Sequence, residues 1–372
     1  PEKMITFLQH ISDPRLRETA RKVLDGERIT PEEGIILYTE AGLPLLSVLA
    51  RAVRERLNGN LVFFNRNFHI EPTNICINNC LFCSYRKSAG DPESWQYSVN
   101  EIMEIVKRFD NVPVTEVHIT GGVHPKRDIS FYCELLRAIK AHRPGLHIKA
   151  FSAIELDFMF RHSGLTAEKG LEFLKDCGLD SIPGGGAEIF DTGIRNRICP
   201  GKTSAERWLE IHEKGHLLGL PSNATMLYGH VEDYSHRIAH MELLRQLQDK
   251  TGGFNAFIPL KFKRYNNPMS EIPEVSTLED MRNYAVSRIF LDNFRHIKAY
   301  WPMLGREQTR MSLSFGADDV DGTIEDTTRI YSMAGADEKN PVMNSEELTS
   351  LIRREGYTPA ERDSLYNIIR EY

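Results

Sequence analysis

The sequence has no run of about 18 consecutive apolar residues, which excludes a membrane-spanning helix. It has no basic amino-terminal stretch followed by an apolar core, so no secretory signal is expected, and Pro1 suggests a trimmed start. No internal repeat and no low-complexity tract is present, which sets aside solenoids, propellers and disordered arrays. Basic charge is short: 46 Lys and Arg face 52 Asp and Glu, so neither a nucleic-acid footprint nor a polybasic membrane patch is expected. Cysteine is scarce too. Six in 372 residues are too few for a disulfide scaffold, and a chain this long buries enough apolar surface to need none. A cytoplasmic, thiol-reducing setting is the default, and there a cysteine cluster signals metal binding or catalysis.

The organisation that is present reads as alternating helices and strands. Residues 1–61 form a helical leader: Thr30-Pro-Glu-Glu33 has the chemistry of a capping box, and Leu45, Leu46, Val48, Leu49 and Val53 make an apolar stripe. Residues 62–325 then run through roughly eight β/α units. Strands are predicted at Phe68–Thr73, Glu116–Thr120, Leu146–Phe151, Leu179–Ile182, Asn223–Leu227, Phe254–Pro259, Ile297–Trp301 and Met311–Phe315. Ser98 with Glu101 and Thr203 with Glu206 predict two further capping boxes. That alternation predicts an α/β fold, a parallel TIM-type barrel, with a doubly wound open sheet as the competing arrangement. Residues 326–372 are expected to be a helical extension, with helices near Ser345–Arg354 and Pro359–Arg370.

Half of the scarce cysteine sits in eight residues, Cys76-Ile-Asn-Asn-Cys80-Leu-Phe-Cys83. Three thiolates on one loop with no fourth neighbour leave a metal centre with an open position, which suits an iron–sulfur cluster better than structural zinc. A zinc-binding module completed by His69 or His118 is the non-enzymatic alternative. Cys133 and Cys177 fall on helix faces as small core residues, and Cys199 is unassigned.

The C-x3-C-x2-C loop at the end of the first barrel strand, with Phe82 before its last Cys, resembles the radical S-adenosylmethionine superfamily. So does Thr120-Gly121-Gly122 one unit later. The likeness extends over about residues 30–335. Glu71–Asn74, Ile182–Glu188, Met226–Glu232, Gln248–Phe254 and Phe257–Leu260 resemble one branch, whose members serve the futalosine route to menaquinone or assemble a deazaflavin. Within it, Asp318-Asp319-Val-Asp321-Gly-Thr323 is similar to members that add the 5′-deoxyadenosyl radical to an alkene; Tyr331, where a His is frequent, is a mild departure.

The resemblance implies a transferase. Its substrate would be 3-[(1-carboxyvinyl)oxy]benzoate, converted with rearrangement and loss of bicarbonate to 6-amino-6-deoxyfutalosine. Dehypoxanthine futalosine cyclase and FO-synthase-type enzymes, which abstract hydrogen, are the alternatives. It implies Cys76, Cys80 and Cys83 as ligands of a 4Fe–4S cluster, and S-adenosylmethionine as co-substrate. Gly121, Gly122, Glu188, Ser152 and Glu155 become cofactor contacts. An electron donor such as flavodoxin or ferredoxin is implied as partner, and monomer and homodimer both stay open. A substrate with two carboxylates calls for cationic or His donors, and Arg195, His230 and Lys261 at predicted strand ends are the candidates, with Arg197 and Lys202 beside them. No residue is assigned as catalytic. Asp318, Asp319 and Asp321 are expected to hold the last strand, one of them reaching the site.

Overall fold

Helices Pro14–Asp25, Pro31–Glu40 and Leu43–Asn58 precede the first strand in the computed structural model, which describes residues 8–324, 329–336 and 342–372. Thr30 and Glu33 form the expected capping box, the Thr30 amide donating to the Glu33 carboxylate at 2.8 Å. The helix Leu43–Asn58 buries Leu46, Leu49, Ala50 and Val53, and Ser47 Oγ donates to the Ser314 carbonyl. Tyr38 donates to Asn283 Oδ1 at 2.6 Å. The leader therefore lies against helix Thr277–Phe290 and the 3-10 turn Leu313–Phe315.

Strands β1 (Leu61–Asn65) and β2 (Asn67–Ile70) are one extended run interrupted at Arg66. β2 pairs in parallel with β3 (Glu116–Ile119), and β3 with β4 (His147–Ala150), His118 opposite Lys149. Ser181 and Ile182 continue the sheet as single bridges to Lys149 and Ser222. β5 (Ser222–Tyr228), β6 (Phe254–Lys261) and β7 (His296–Ile297) follow in parallel. Lys298 bridges to Asp319 in β8 (Asp319–Gly322), and β8 pairs with β1. Both neighbours of the 61–70 run are thus satisfied, the ring closes, and the architecture is the parallel barrel rather than an open sheet.

Four expectations are corrected. Met311–Phe315 is not a strand: it ends helix Arg306–Ser312 and continues as a 3-10 turn, stopped by Gly316 at φ 98°, and the eighth strand is the acidic Asp319–Gly322. Buried Asp319 and Asp321 are neutralised by Arg362 and Lys298, so the strand carries no apolar alternation to read. The helix expected near Pro359–Arg370 is a hairpin, β9 (Thr358–Arg362) lying parallel to β1 and β10 (Ile368–Glu371) antiparallel to β9. Its turn is held by Asp363, whose carboxylate accepts from the amides of Leu365 and Asn367, while Tyr366 sits at φ 65°. The capping at Thr203 shifts by one residue: Ser204 caps helix Ala205–Leu217, and Thr203 instead donates to Asp157. Cys133 and Cys177 are buried as expected but joined as a disulfide between helices Ile129–His142 and Ala167–Cys177. The expected boundary between residues 325 and 326 lies outside the described residues, and helix Ser345–Arg354 is present.

Asp318 holds the seam. Its carboxylate pairs with Arg288, accepts from Asn58 Nδ2 at 2.9 Å, from the Ile297 amide at 2.7 Å, and meets His296 Nδ1 at 2.6 Å. Burial would raise its pKa, yet the Arg288 guanidinium and His296 hold it below the usual carboxylate value. Removing one charge of a buried pair strands the other. Asp318→Asn is expected to cost about 3–5 kcal/mol, read as a fall in the urea midpoint.

Candidate active site

The carboxyl ends of the strands open onto a cavity of about 290 Å³, the end of a parallel barrel where reacting groups gather. Cys76, Cys80 and Cys83 line its mouth as free thiols, on a loop stitched into its surroundings through the backbone. Ile77 N donates to Val123 O at 3.0 Å and Leu81 N to Ile198 O at 2.7 Å. Asn74 accepts from the Trp95 amide and donates to the Glu93 carbonyl, folding the following segment back over the strand end.

The glycine pair after β3 is required by this loop. A Cβ on Gly121 would stand 2.7 Å from Thr73 O, and one on Gly122 2.3 Å from Ile75 O. Gly122 N donates to Thr73 O at 2.7 Å. Any side chain here would push the cysteine loop away from β3. Glu155 fixes the same turn from behind: it accepts from Gly121 N at 3.1 Å and Thr120 Oγ1 at 3.0 Å while closing a capping box with Ser152. Burial pushes its carboxyl up to about 7 against these donors. Ser152 and Glu188 line the cavity with Gly121 and Gly122, whereas Glu155 acts through Gly121.

Glu188, at φ 49°, pairs with Lys202 at 2.6 Å. Lys202 Nζ also stands 5.4 Å over the Phe82 ring. Burial opposes its charge, but Cys80 and Glu188 hold the ammonium above its ordinary value. Cys199, unassigned from the sequence, is buried with its thiol beside Cys80.

Of the cationic and His candidates only Lys202 lines the cavity; Arg197 does not, and Arg195, Lys261 and His230 are turned to structural partners. Arg195 donates to the carbonyls of Ala187 and Thr203, both at 2.5 Å, and so ties the segment after the glycine turn to Thr203. Lys261 pairs with buried Asp280 at 2.7 Å, and His230 Nε2 donates to Leu227 O at 3.0 Å. Each has a partner within the fold, which the sequence could not reveal. In their place the lining contains Lys149, Lys298, Tyr300 and Tyr331, with His118 and Asp321. A lysine inside the buried strand His147–Ala150 was the available signal for the first of these.

Three free thiols on one loop fit an iron–sulfur cluster, and the glycine turn packs directly against that loop. Among the described residues no three His, Cys, Asp or Glu side chains converge on a single-ion cage. A cubane holds its ligand sulfurs farther apart than a lone ion does, and His69 and His118 meet each other edge to face, ring centroids 4.5 Å apart. The zinc reading finds no support in this arrangement. No helix among the described residues is long and apolar enough to cross a membrane.

A family model described as the radical SAM superfamily matches residues 70–244, and one described as the CofH/MqnC C-terminal region matches 251–371. The chain is 43% identical to an aminodeoxyfutalosine synthase of Thermus thermophilus, over 98% of each chain. It is 38% identical to that of Streptomyces coelicolor, over 96% of this chain and 94% of that one. Among solved structures, methylornithine synthase superposes with a TM-score of 0.70 at 19% identity, covering 92% of this chain and 97% of that one, which speaks to the fold.

Gly122→Ala is expected to displace the cysteine loop, so that anaerobic reconstitution gives a several-fold lower iron content per chain while the circular dichroism spectrum is retained. A second expectation concerns pH. Glu71, buried and accepting from the amides of Arg329 and Ile330, is pushed by burial up to about 7, as Glu155 is. A carboxyl whose folded pKa is raised stabilises below its unfolded pKa, and that stability is lost as pH rises through about 7. Between pH 5.5 and 8, Glu71→Gln should therefore gain on the order of 2 kcal/mol relative to the wild type, read from paired urea midpoints.

Proposed function

The chain belongs to the radical SAM superfamily, and on that premise we propose that it is a transferase that joins the 5′-deoxyadenosyl group to 3-[(1-carboxyvinyl)oxy]benzoate. The product is 6-amino-6-deoxyfutalosine, formed with loss of bicarbonate, on the futalosine route to menaquinone. The observation that carries this reading is the end-to-end identity with two aminodeoxyfutalosine synthases, 43% over 98% of the chain for one of them.

A 4Fe–4S cluster with S-adenosylmethionine as co-substrate supplies a primary carbon radical. Cys76, Cys80 and Cys83 would hold the cluster, since they are free and face one cavity. Gly121 and Gly122, in the cavity lining beside the cysteine loop, would meet the methionine end, and Glu155 keeps Gly121 in place. Glu188 and Ser152, both in the cavity lining, suit the ribose hydroxyls. The apolar wall of Val123, Ile154, Leu227, Ile258, Leu260 and Met303 keeps water from the radical and offers the aryl ring a dry surface. An electron from a reduced flavodoxin or ferredoxin, in the cytoplasm, completes the scheme.

One observation favours a second reading. The carboxyl-terminal match is to a region named for CofH and MqnC, so a hydrogen-abstracting relative of the cyclase type is the rival. Anaerobic turnover separates them. With the enolpyruvyl benzoate, methionine should accumulate in step with an adenosyl-containing product, and free 5′-deoxyadenosine should stay a minor fraction by mass spectrometry. Deoxyadenosine as the main nucleoside would sink the transferase reading.

A further inference from the structure

The closed end of the cavity carries polar groups whose hydrogen-bonding capacity the protein leaves partly unused. His118 on β3 and Lys149 on β4 are paired positions of adjacent strands, so both side chains enter the barrel in one layer. Lys298 follows β7 and completes the group, and all three line the cavity. His118 Nε2 is buried without a hydrogen-bond partner. Lys149 Nζ makes one bond, to Glu116 at 2.6 Å, and Lys298 Nζ makes one, to Asp321 at 2.6 Å. An ammonium has three N–H donors, so each lysine keeps two unspent. Buried donors are rarely left idle, and their convergence on a cavity points to a ligand acceptor.

The acceptor's chemistry follows from the surroundings. Each lysine is already neutralised by its own carboxylate, so the floor suits one compact, singly charged anion rather than a phosphate. The walls above it are apolar, which suits an aromatic body. Cys76, Cys80 and Cys83 stand at the other end, where the reacting alkene has to be.

We propose that His118, Lys149 and Lys298 form the seat of the substrate's ring carboxylate, so that the benzoate end is buried at the barrel floor and the enol ether faces the cysteine loop. This orientation rests on the function proposed above. It explains why Arg195, His230 and Lys261 are free to be structural: the carboxylate is met from strands β3, β4 and β7, deeper in the barrel.

The test uses the reconstituted holoenzyme and two substrates, 3-[(1-carboxyvinyl)oxy]benzoate and 2-phenoxyacrylate, which lacks only the ring carboxylate. His118→Phe keeps the ring volume and breaks no ion pair, so it should fold; Lys298→Met is the second variant, checked by its melting curve. Charge-assisted hydrogen bonds of this kind should make the wild-type KM for the benzoate roughly 10- to 100-fold lower than for phenoxyacrylate. His118→Phe should raise KM for the benzoate about 10-fold and leave that for phenoxyacrylate within about twofold. An equal change for both substrates, or an unchanged preference, would overturn the seat. Calorimetric titration with 3-methoxybenzoate against 3-methoxybenzamide needs no turnover: selective binding of the acid by wild type, lost in His118→Phe, supports the seat even if the enolpyruvyl benzoate proves not to be the substrate. Equal affinity for acid and amide refutes the seat whatever the reaction.

Discussion

Closing a ring of parallel strands requires its last strand to find its first, and here that junction is made with buried charge. Asp318, Asp319 and Asp321 are each neutralised by a cation from a different element: Arg288 from the helix before β7, Arg362 from β9, Lys298 from the end of β7. Attraction between such groups is large in a dry interior, but so is the cost of taking them from water. Their value lies in register. A shift of β8 by one residue would turn each acid away from its partner and leave six charges stranded, so few alternative closures survive.

The same seam sets the floor of the cavity. Lys298 belongs both to the closure, through Asp321, and to the lining, and Lys149 is likewise tied below by Glu116. Structural ion pairs and ligand-facing donors are the same side chains, each using one N–H on the fold. At the other end the cysteine loop is positioned by contact rather than charge, through the missing Cβ atoms of Gly121 and Gly122. A rigid floor and a rigid mouth, with an apolar waist between them, define the distance across which a substrate must reach.

What could be read from the sequence was local. The three cysteines, the glycine pair and the boxes at Thr30 and Ser98 are short-range signals, and each appears where its spacing indicated. What could not be read depends on partners distant in the chain. Asp319–Gly322 looks like an acidic loop until Arg362 and Lys298 are placed beside it. Pro359–Arg370 has helical spacing but is drawn into a hairpin by the free edge of β1. Arg195 and Lys261 looked available because the carbonyls and the carboxylate that engage them lie on other elements. Cys133 and Cys177 are 44 residues apart, and only the packing of their two helices makes them neighbours.

β1 is flanked on one edge by β8 and on the other by β9, segments that lie some 255 and 295 residues further along the chain. During synthesis the first strand is therefore among the last to be satisfied. Its edges, and the three-thiol loop that follows it, wait exposed until nearly the whole chain has emerged, because contacts this distant in sequence form slowly. The carboxyl-terminal hairpin then acts as the final latch of the barrel, and a chain cut short before residue 358 would carry every candidate ligand for the cluster on a barrel whose first strand has one edge uncovered.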